Sequence, residues 1–258
     1  MKLSIITINY NNVEGLKKTA ESVFAQSYRE FEYIVIDGGS NDGSSAYLEK
    51  NKQHFSYWIS EKDSGIYNAM NKGIRAAKGT YLVFLNSGDH FLDNNSLDTA
   101  FSYFENTDLV SFDTKMIHDN GSFIYSTPAD IDFAHMYYKS IPHPSTFIKR
   151  ELFEKVGLYD ENLKIVSDWK FFLIAICHHN YKVKTIPKTI AVQYAGGISS
   201  LPQNQQKVLA ERAQVLNDNF PCFVKNYEEY FRLKTIEHSK PIKVLRFFGL
   251  LKNYFDAK

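Results

Sequence analysis

The sequence has few cysteines, no excess of charge of either sign and no long apolar run. Cys177 and Cys222 lie far apart, outside any CxxC or Cys/His spacing, so the sequence indicates neither a disulfide framework nor a structural zinc site. We therefore expect a chain from a reducing compartment. The 30 basic and 29 acidic residues leave a net charge of +1, which argues against a nucleic-acid partner.

No stretch approaches the roughly 18 consecutive apolar residues of a transmembrane helix. The apolar run that opens the chain ends at Asn9, too early for the core of a signal peptide. These absences favour a cytoplasmic location. With 258 residues and 44% apolar content, the chain is long enough to bury one substantial core, so we expect one main domain.

Short β-branched runs alternate with helical patterns over the first 105 residues. Strands are predicted at 3–8, 32–37, 57–60 and 81–85, with helices between them, which is the order of a parallel α/β sheet. After residue 105 the pattern changes. Asn120-Gly121 predicts a hairpin, followed by a strand at 145–149, a helix at 150–156 and a helix from about Asp168. The second half is therefore predicted to be mixed.

Open α/β sheets bind ligands at the carboxyl ends of their strands. Asn9, Asp37, the loop 61–65 and Asp89 should gather there. The segment after the first strand, "NYNNVEG", carries neither GxGxxG nor GxxxxGK[ST], which argues against a dinucleotide fold and against a P-loop.

Four segments in this order resemble the family 2 glycosyltransferases, which are inverting enzymes of the GT-A fold: "SIITINYNN", "VIDGGSNDGS", "SEKDSGIYNAMNKGIRAAKGTYLVFLNSGD" and "PHPSTFIKRELFEKVGLYDENLKIVSDWKFF". The resemblance covers residues 2–200. It implies an α/β fold with a Rossmann-like, mostly parallel central sheet flanked by helices. The expected division is a GT-A domain at 1–200, with a nucleotide-binding half (1–117) and an acceptor half (118–200), and a helical C-terminal extension at 201–258.

The resemblance also implies a donor site for a nucleoside-diphosphate sugar, with UDP as the expected nucleotide and Asp37 accepting from the uracil N–H. It assigns nucleotide binding to Thr7, Asn9, Tyr10, Asp37, Asp63, Asn71 and Ser87. Two alternatives stay open. Thr7 is equally typical of a buried strand, and Asp63 is equally placed to cap the helix that follows it.

The segment "NSGD" aligns with the metal-binding Asp-x-Asp region of the family. Asp89 is the expected ligand of Mn²⁺ or Mg²⁺, which would neutralise the departing diphosphate. This chain departs from the family pattern at Gly88 and at Gly38, where many members carry a further Asp. Both departures concern the donor contacts rather than the metal.

Inversion requires a base that removes the proton of the acceptor hydroxyl. The resemblance places Asp168 at the base position of the family, whereas spacing alone favours a helix cap for the pair Ser167 and Asp168. His143 and Trp169 are candidates for the acceptor side, and packing is the alternative role for each.

The Gln-x-x-Arg-Trp segment of processive synthases is absent, so the resemblance implies one sugar transferred per encounter to a glycan or lipid-linked glycan, as in small bacterial enzymes of surface-polysaccharide biosynthesis. Basic and bulky apolar residues interleave over 239–258. This tail is predicted to contact the inner face of the membrane peripherally or to pack on protein, a second subunit of a homodimer included. A nucleotidyltransferase and a sugar-nucleotide-binding scaffold without catalysis are the rival functions.

Overall fold

The computed structural model describes residues 2–105, 107–237 and 239–247. Contacts between Cα atoms divide the chain into two compact units, Met1–Val208 and Leu209–Lys258. The first unit is built on a nine-stranded sheet. In spatial order its strands are β3 (Tyr57–Ser60), β2 (Phe31–Asp37), β1 (Leu3–Asn9), β4 (Tyr81–Phe84), β8 (Thr146–Lys149), β6 (Leu109–His118), β9 (Val183–Tyr194) and β5 (His90–Phe91), with β7 (Gly121–Tyr125) paired to β6. This is a mixed α/β fold of the predicted class.

Four parallel strands form the first half of the sheet: β1 (Leu3–Asn9), β2 (Phe31–Asp37), β3 (Tyr57–Ser60) and β4 (Tyr81–Phe84). Every residue of β1 is buried, as expected for a strand that is covered by helices on both faces. The register pairs Asn9 with Asp37, and Asp37 with Ser60. The carboxyl ends of β1, β2 and β3 therefore finish level with one another.

Helices connect these strands. They are α1 (Val13–Phe24), α2 (Ser44–Lys50) and α3 (Ile66–Ala76), with a short 3-10 helix at Lys52–His54. The side chain of Asn12 caps α1 by accepting from the Gly15 N–H at 3.1 Å. Leu16, Ala20 and Val23 on α1 are buried, because they recur at helical spacing on one face.

The second half of the sheet is mixed, as predicted. Its strands are β5 (His90–Phe91), β6 (Leu109–His118), β7 (Gly121–Tyr125), β8 (Thr146–Lys149) and β9 (Val183–Tyr194). β8 runs antiparallel to both β4 and β6, while β9 runs parallel to β6. The hairpin predicted at Asn120-Gly121 is confirmed by the antiparallel pair β6–β7.

Short helices accompany this half: α4 (Ser96–Phe101), α5 (Phe133–Tyr138), α6 (Leu152–Lys155) and α7 (Ser167–Leu173). The helix predicted at 150–156 is thus shorter than expected. Ser167 is also not the helix cap: that position is Val166, and the Ser167 hydroxyl instead accepts from the Asp160 N–H at 2.5 Å. The side chain of Ser167 therefore stabilises the loop before α7 and does not cap the helix.

Among the described residues, a 3-10 helix at Pro202–Asn204 and three α-helices follow β9: α8 (Gln205–Asn219), α9 (Pro221–Glu237) and α10 (Lys240–Phe247). Within the described ranges, no helix is both long enough and apolar enough to cross a membrane. Of the tail singled out in the sequence, residues 248–258 lie outside the described part of the chain.

Candidate active site

A cleft of about 980 Å³ opens at the carboxyl ends of the parallel strands. It is walled by the ends of β1 and β2, the loop before α3, the turn after β4, and the segment that follows β9. Seven of the residues singled out in the sequence line it: Asn9, Tyr10, Asp63, Ser87, Asp89, His143 and Asp168. Thr7, Asp37, Asn71 and Trp169 are not among its lining residues.

Asp37 ends β2 and is fully buried. Its carboxylate accepts hydrogen bonds from the Asn9 amide (2.6 Å), the Ser60 hydroxyl (2.6 Å), and both the hydroxyl and the backbone N–H of Ser40 (2.6 and 3.0 Å). Burial alone would raise the pKa of Asp37, but these donors hold it below its ordinary value. Asp37 is therefore ionised, and its hydrogen bonds link β2 to both β1 and β3.

The loop before α3 places Asp63 on the cleft wall. Its Oδ1 accepts from the Gly65 N–H at 3.0 Å, and Gly65, with φ of 137°, is the residue that caps α3. Asp63 thus supports the cap without occupying it, and its second carboxylate oxygen remains available to a ligand.

The turn after β4 carries Asp89. Thr19 of α1 holds this turn, because its hydroxyl accepts from the Gly88 N–H at 3.0 Å and donates to the Asp89 carbonyl at 2.6 Å. Gly88 has φ of 107°, where a side chain is strained, so this backbone disfavours a further carboxylate at that position. Burial raises the pKa of Asp89 to about 8, although the Tyr194 N–H opposes the shift.

Asp168 lies in the first turn of α7, with 30% of its side chain exposed. The Tyr67 hydroxyl of α3 donates to its Oδ1 at 2.9 Å, and His143 Nδ1 lies 4.0 Å from its Oδ2. His143 Nε2 lies 2.9 Å from the Tyr159 hydroxyl, and its ring stacks on Phe84 at 4.7 Å. Burial lowers the pKa of His143, against the opposing charge of Asp168. The cleft therefore contains a carboxylate that Tyr67 orients by a hydrogen bond and that His143 approaches without one.

The family model of Glycosyl transferase family 2 matches residues 4–159, which include most of the cleft. The chain belongs to glycosyl transferase family 2.

Curated relatives carry matching names. An uncharacterized glycosyltransferase of Mycobacterium tuberculosis is 37% identical over 178 residues, which are 67% of this chain and 68% of the relative. A PGL/p-HBAD biosynthesis glycosyltransferase of Mycobacterium bovis is 29% identical over 174 residues, covering 65% of this chain and 67% of that protein. This chain is accordingly a family 2 glycosyltransferase.

Solved structures share the GT-A fold with this glycosyltransferase. Staphylococcus aureus TarS 1-349 in complex with UDP-GlcNAc superimposes with a TM-score of 0.65 at 19% identity, covering 84% of this chain and 67% of that one. The mannosyltransferase PcManGT of Pyrobaculum calidifontis, in complex with GDP-Man and Mn²⁺, gives 0.59 at 17% identity, covering 96% and 79%. At these identities the likeness establishes the fold.

The surroundings of Asp89 fit a divalent cation that is coordinated partly by the protein and partly by a bound substrate. Asn86 Oδ1 and Ser87 Oγ, just before Asp89, are buried oxygens without a hydrogen-bond partner among the described residues. No cluster of three or more His, Cys, Asp or Glu side chains suited to a metal occurs within the described ranges. One carboxylate with neutral oxygens is the donor set of a Mg²⁺-type ion that takes its remaining ligands from water and substrate phosphates.

Besides Asp37, three residues singled out in the sequence do not line the cleft and make hydrogen bonds within the fold instead. The Thr7 hydroxyl donates to the Leu85 carbonyl at 2.7 Å. Asn71 bonds both the N–H and the carbonyl of Tyr159. The Trp169 indole N–H donates to the Met136 carbonyl at 2.7 Å, and its side chain is buried. For Trp169 this position fits packing, the alternative raised for it in the sequence, rather than stacking on an acceptor.

The sequence analysis did not single out Tyr67, whose hydroxyl contacts Asp168, or Tyr159, whose hydroxyl contacts His143. Tyr67 lies within the quoted segment "SGIYNAMNKG", one residue into α3. Its position at the start of the helix that follows Asp63 is a signal, but an aromatic residue there equally predicts core packing. Only the approach of α7 to α3 reveals its hydrogen bond.

Proposed function

We propose that this glycosyltransferase moves a sugar from a UDP-sugar to a hydroxyl of a glycan or lipid-linked glycan, with inversion at the anomeric carbon. The observation that carries the proposal is that Asp89 and Asp168 line the same cleft. One is a half-buried carboxylate whose pKa is raised by desolvation and which is suited to a cation, and the other is a partly exposed carboxylate that accepts a hydrogen bond from a phenol. A nucleotide-binding scaffold would need no such base.

Asp168 is the general base of the proposed reaction. Its carboxylate takes the proton of the acceptor hydroxyl as that oxygen bonds to the anomeric carbon, and the bond from this carbon to the donor's diphosphate oxygen breaks on the opposite face. Tyr67 keeps the carboxylate oriented while the proton arrives. Products are the extended glycan and UDP.

Asp89, with the oxygens of Asn86 and Ser87, would hold Mn²⁺ or Mg²⁺. A cation held there would supply positive charge that stabilises the leaving diphosphate. Asn9, Tyr10 and Asp63 line the same cleft, which supports their proposed contact with the nucleoside. His143 completes the acceptor side beside Asp168.

The tail at 239–258 is proposed to dock on the inner face of the membrane, where a lipid-linked acceptor would lie. In its described part, Val244 and Leu245 are exposed on α10 next to Lys243. Basic residues beside exposed apolar ones suit an anionic lipid surface. Deletion of residues 239–258 should abolish flotation with anionic liposomes. If the deletion instead dissociates a dimer in sedimentation, the tail serves subunit contact.

The decisive experiment compares the native protein with Asp168→Asn. The native protein should bind UDP in calorimetry with Mn²⁺ present and should release UDP when a UDP-sugar and a glycan acceptor are supplied. Asp168→Asn should keep the UDP affinity and lose transfer by about 10²-fold or more, since a general base contributes 10²–10⁴-fold. Full transfer by the variant would overturn the base assignment, and transfer of a nucleotidyl group would favour the rival enzyme.

A further inference from the structure

The carboxylate of Asp37 has no acceptor position left for a ligand. Oδ1 receives the Asn9 amide and the Ser40 hydroxyl, and Oδ2 receives the Ser40 N–H and the Ser60 hydroxyl. A carboxylate offers about four lone-pair positions. Asp37 is also fully buried and is not a lining residue of the cleft. A nucleoside could reach it only by displacing donors that hold three strands together.

Asp63, unlike Asp37, has an acceptor position left for a ligand. Its Oδ1 is engaged by the Gly65 N–H at 3.0 Å, which fixes the carboxylate plane, while Oδ2 receives no donor from the described residues. Asp63 lines the cleft beside Tyr10, whose side chain is 67% exposed and offers an aromatic face. Asn9 Oδ1 also lacks a hydrogen-bond partner among the described residues, but this atom is buried. Asp63 Oδ2 is therefore the acceptor that a ligand can reach.

Gly38 leaves the space that this carboxylate occupies. A Cβ at position 38 would lie 2.6 Å from Asp63 Oδ2 and 3.2 Å from both Asp63 Cγ and Tyr10 Cδ2. The φ angle of Gly38 lies outside the left-handed region, so its backbone would accept any residue. Gly38 is thus a glycine for reasons of space, and positions 38 and 63 together accommodate one carboxylate.

We propose that Asp63, and not Asp37, reads the base of the donor by accepting from the uracil N3–H, and that Gly38 is required for this placement. The inference rests on the proposed UDP-sugar function and names the atom that recognises the nucleotide. Uracil presents a hydrogen at N3, whereas the N3 of neutral cytosine is an acceptor that would face the carboxylate unpaired. A site built around such a hydrogen bond discriminates strongly, because the mismatched ligand leaves buried polar groups without partners.

The test measures UDP, CDP and 2′-deoxy-UDP affinities by calorimetry with Mn²⁺ on four proteins: native, Asp63→Asn, Gly38→Ala and Asp37→Asn. The native protein should prefer UDP over CDP by at least about tenfold. Asp63→Asn should lose most of that preference, because its amide can donate to the cytosine N3. Gly38→Ala should reduce the preference in the same direction by displacing the carboxylate. Asp37→Asn should lower thermal stability and keep the UDP-to-CDP ratio.

The possible results distinguish a failure of this inference from a failure of the proposed function. Retained UDP affinity with an unchanged UDP-to-CDP ratio in Asp63→Asn would overturn this inference and leave the proposed function standing. Loss of discrimination against 2′-deoxy-UDP in Asp63→Asn, with the base ratio intact, would place Asp63 on the ribose and overturn it equally. An absence of UDP affinity in the native protein would overturn both. Thermal unfolding of each variant confirms that the affinities refer to folded protein.

Discussion

The Tyr67 hydroxyl donates a 2.9 Å hydrogen bond to Asp168 Oδ1 and thereby joins α3 to α7 across 101 positions of sequence. Burial, followed by the nearby Asp168 charge, holds the pKa of Tyr67 well above its ordinary value. Tyr67 therefore stays protonated, and it donates to the carboxylate at every pH at which the enzyme would work. This makes Tyr67 a positioning residue for the proposed base.

Tyr67→Phe should lower kcat by about ten- to a hundredfold, since a hydrogen bond to a charged group is worth about 1.5–3 kcal/mol. The KM for the donor should change little, because the ring and its packing remain. Steady-state kinetics with varied donor would measure both constants. Tyr81→Phe is the matched control: it removes a phenol that bonds the Thr107 carbonyl outside the cleft, and it should leave kcat unchanged. Equal losses in the two variants would contradict the positioning role.

His143 should make the protein less stable in mild acid. Burial lowers its pKa, so the folded chain binds fewer protons than the unfolded chain, whose histidines titrate near ~6.5. The free energy of unfolding must then fall as the pH drops through that value. Thermal melts of native protein and His143→Gln between pH 7.5 and 5 should show a shallower decline for the variant. His90 and His135 are present in both proteins and cancel in this difference, so parallel curves would contradict the prediction.

Asp89 should make cation binding depend on pH. Its pKa of about 8 means that the folded, metal-free chain holds a proton that the unfolded chain loses near ~4. Without metal, stability should therefore fall as the pH rises from 4 to 8. A cation favours the ionised carboxylate, so the rise in Tm on adding Mn²⁺ should be larger at pH 8 than at pH 6. Asp89→Asn should show no Mn²⁺ response, and an equal response in both proteins would remove Asp89 from the metal site.

Gly79 should be intolerant of any side chain. A Cβ there would lie 2.6 Å from the backbone carbon of Leu3 and from the Ser4 nitrogen, atoms that cannot yield without moving β1. Gly79→Ala should cost about 1–3 kcal/mol, or a few degrees of Tm at this size. Gly197→Ala is the matched control, because its Cβ would meet nothing within 4 Å. Similar melting temperatures for the two variants would contradict the close approach.

Local sequence patterns were sufficient to predict two parts of the sheet. β2 at Phe31–Asp37 was predicted from a β-branched run, and the hairpin from Asn120-Gly121, because each depends on residues that are neighbours in sequence. β9 was not predicted. Pro187 lies within it and argues against a central strand, but the pairing with β6 shifts register between Ile186 and Thr189, which accommodates the proline.

The sequence by itself determined the family, the α/β class and the identity of the carboxylates Asp37, Asp63, Asp89 and Asp168, because these follow from residue types and their order along the chain. Only the tertiary structure decided which of these carboxylates keep an oxygen that a ligand could reach. Asp37 is saturated by donors from β1, from β3 and from Ser40 in the loop after β2. Asp63 keeps one oxygen without a donor among the described residues because Gly38 makes room for it, and Asp168 is oriented by Tyr67. Hydrogen-bond saturation and steric space depend on segments far apart in sequence, and folding alone brings them together.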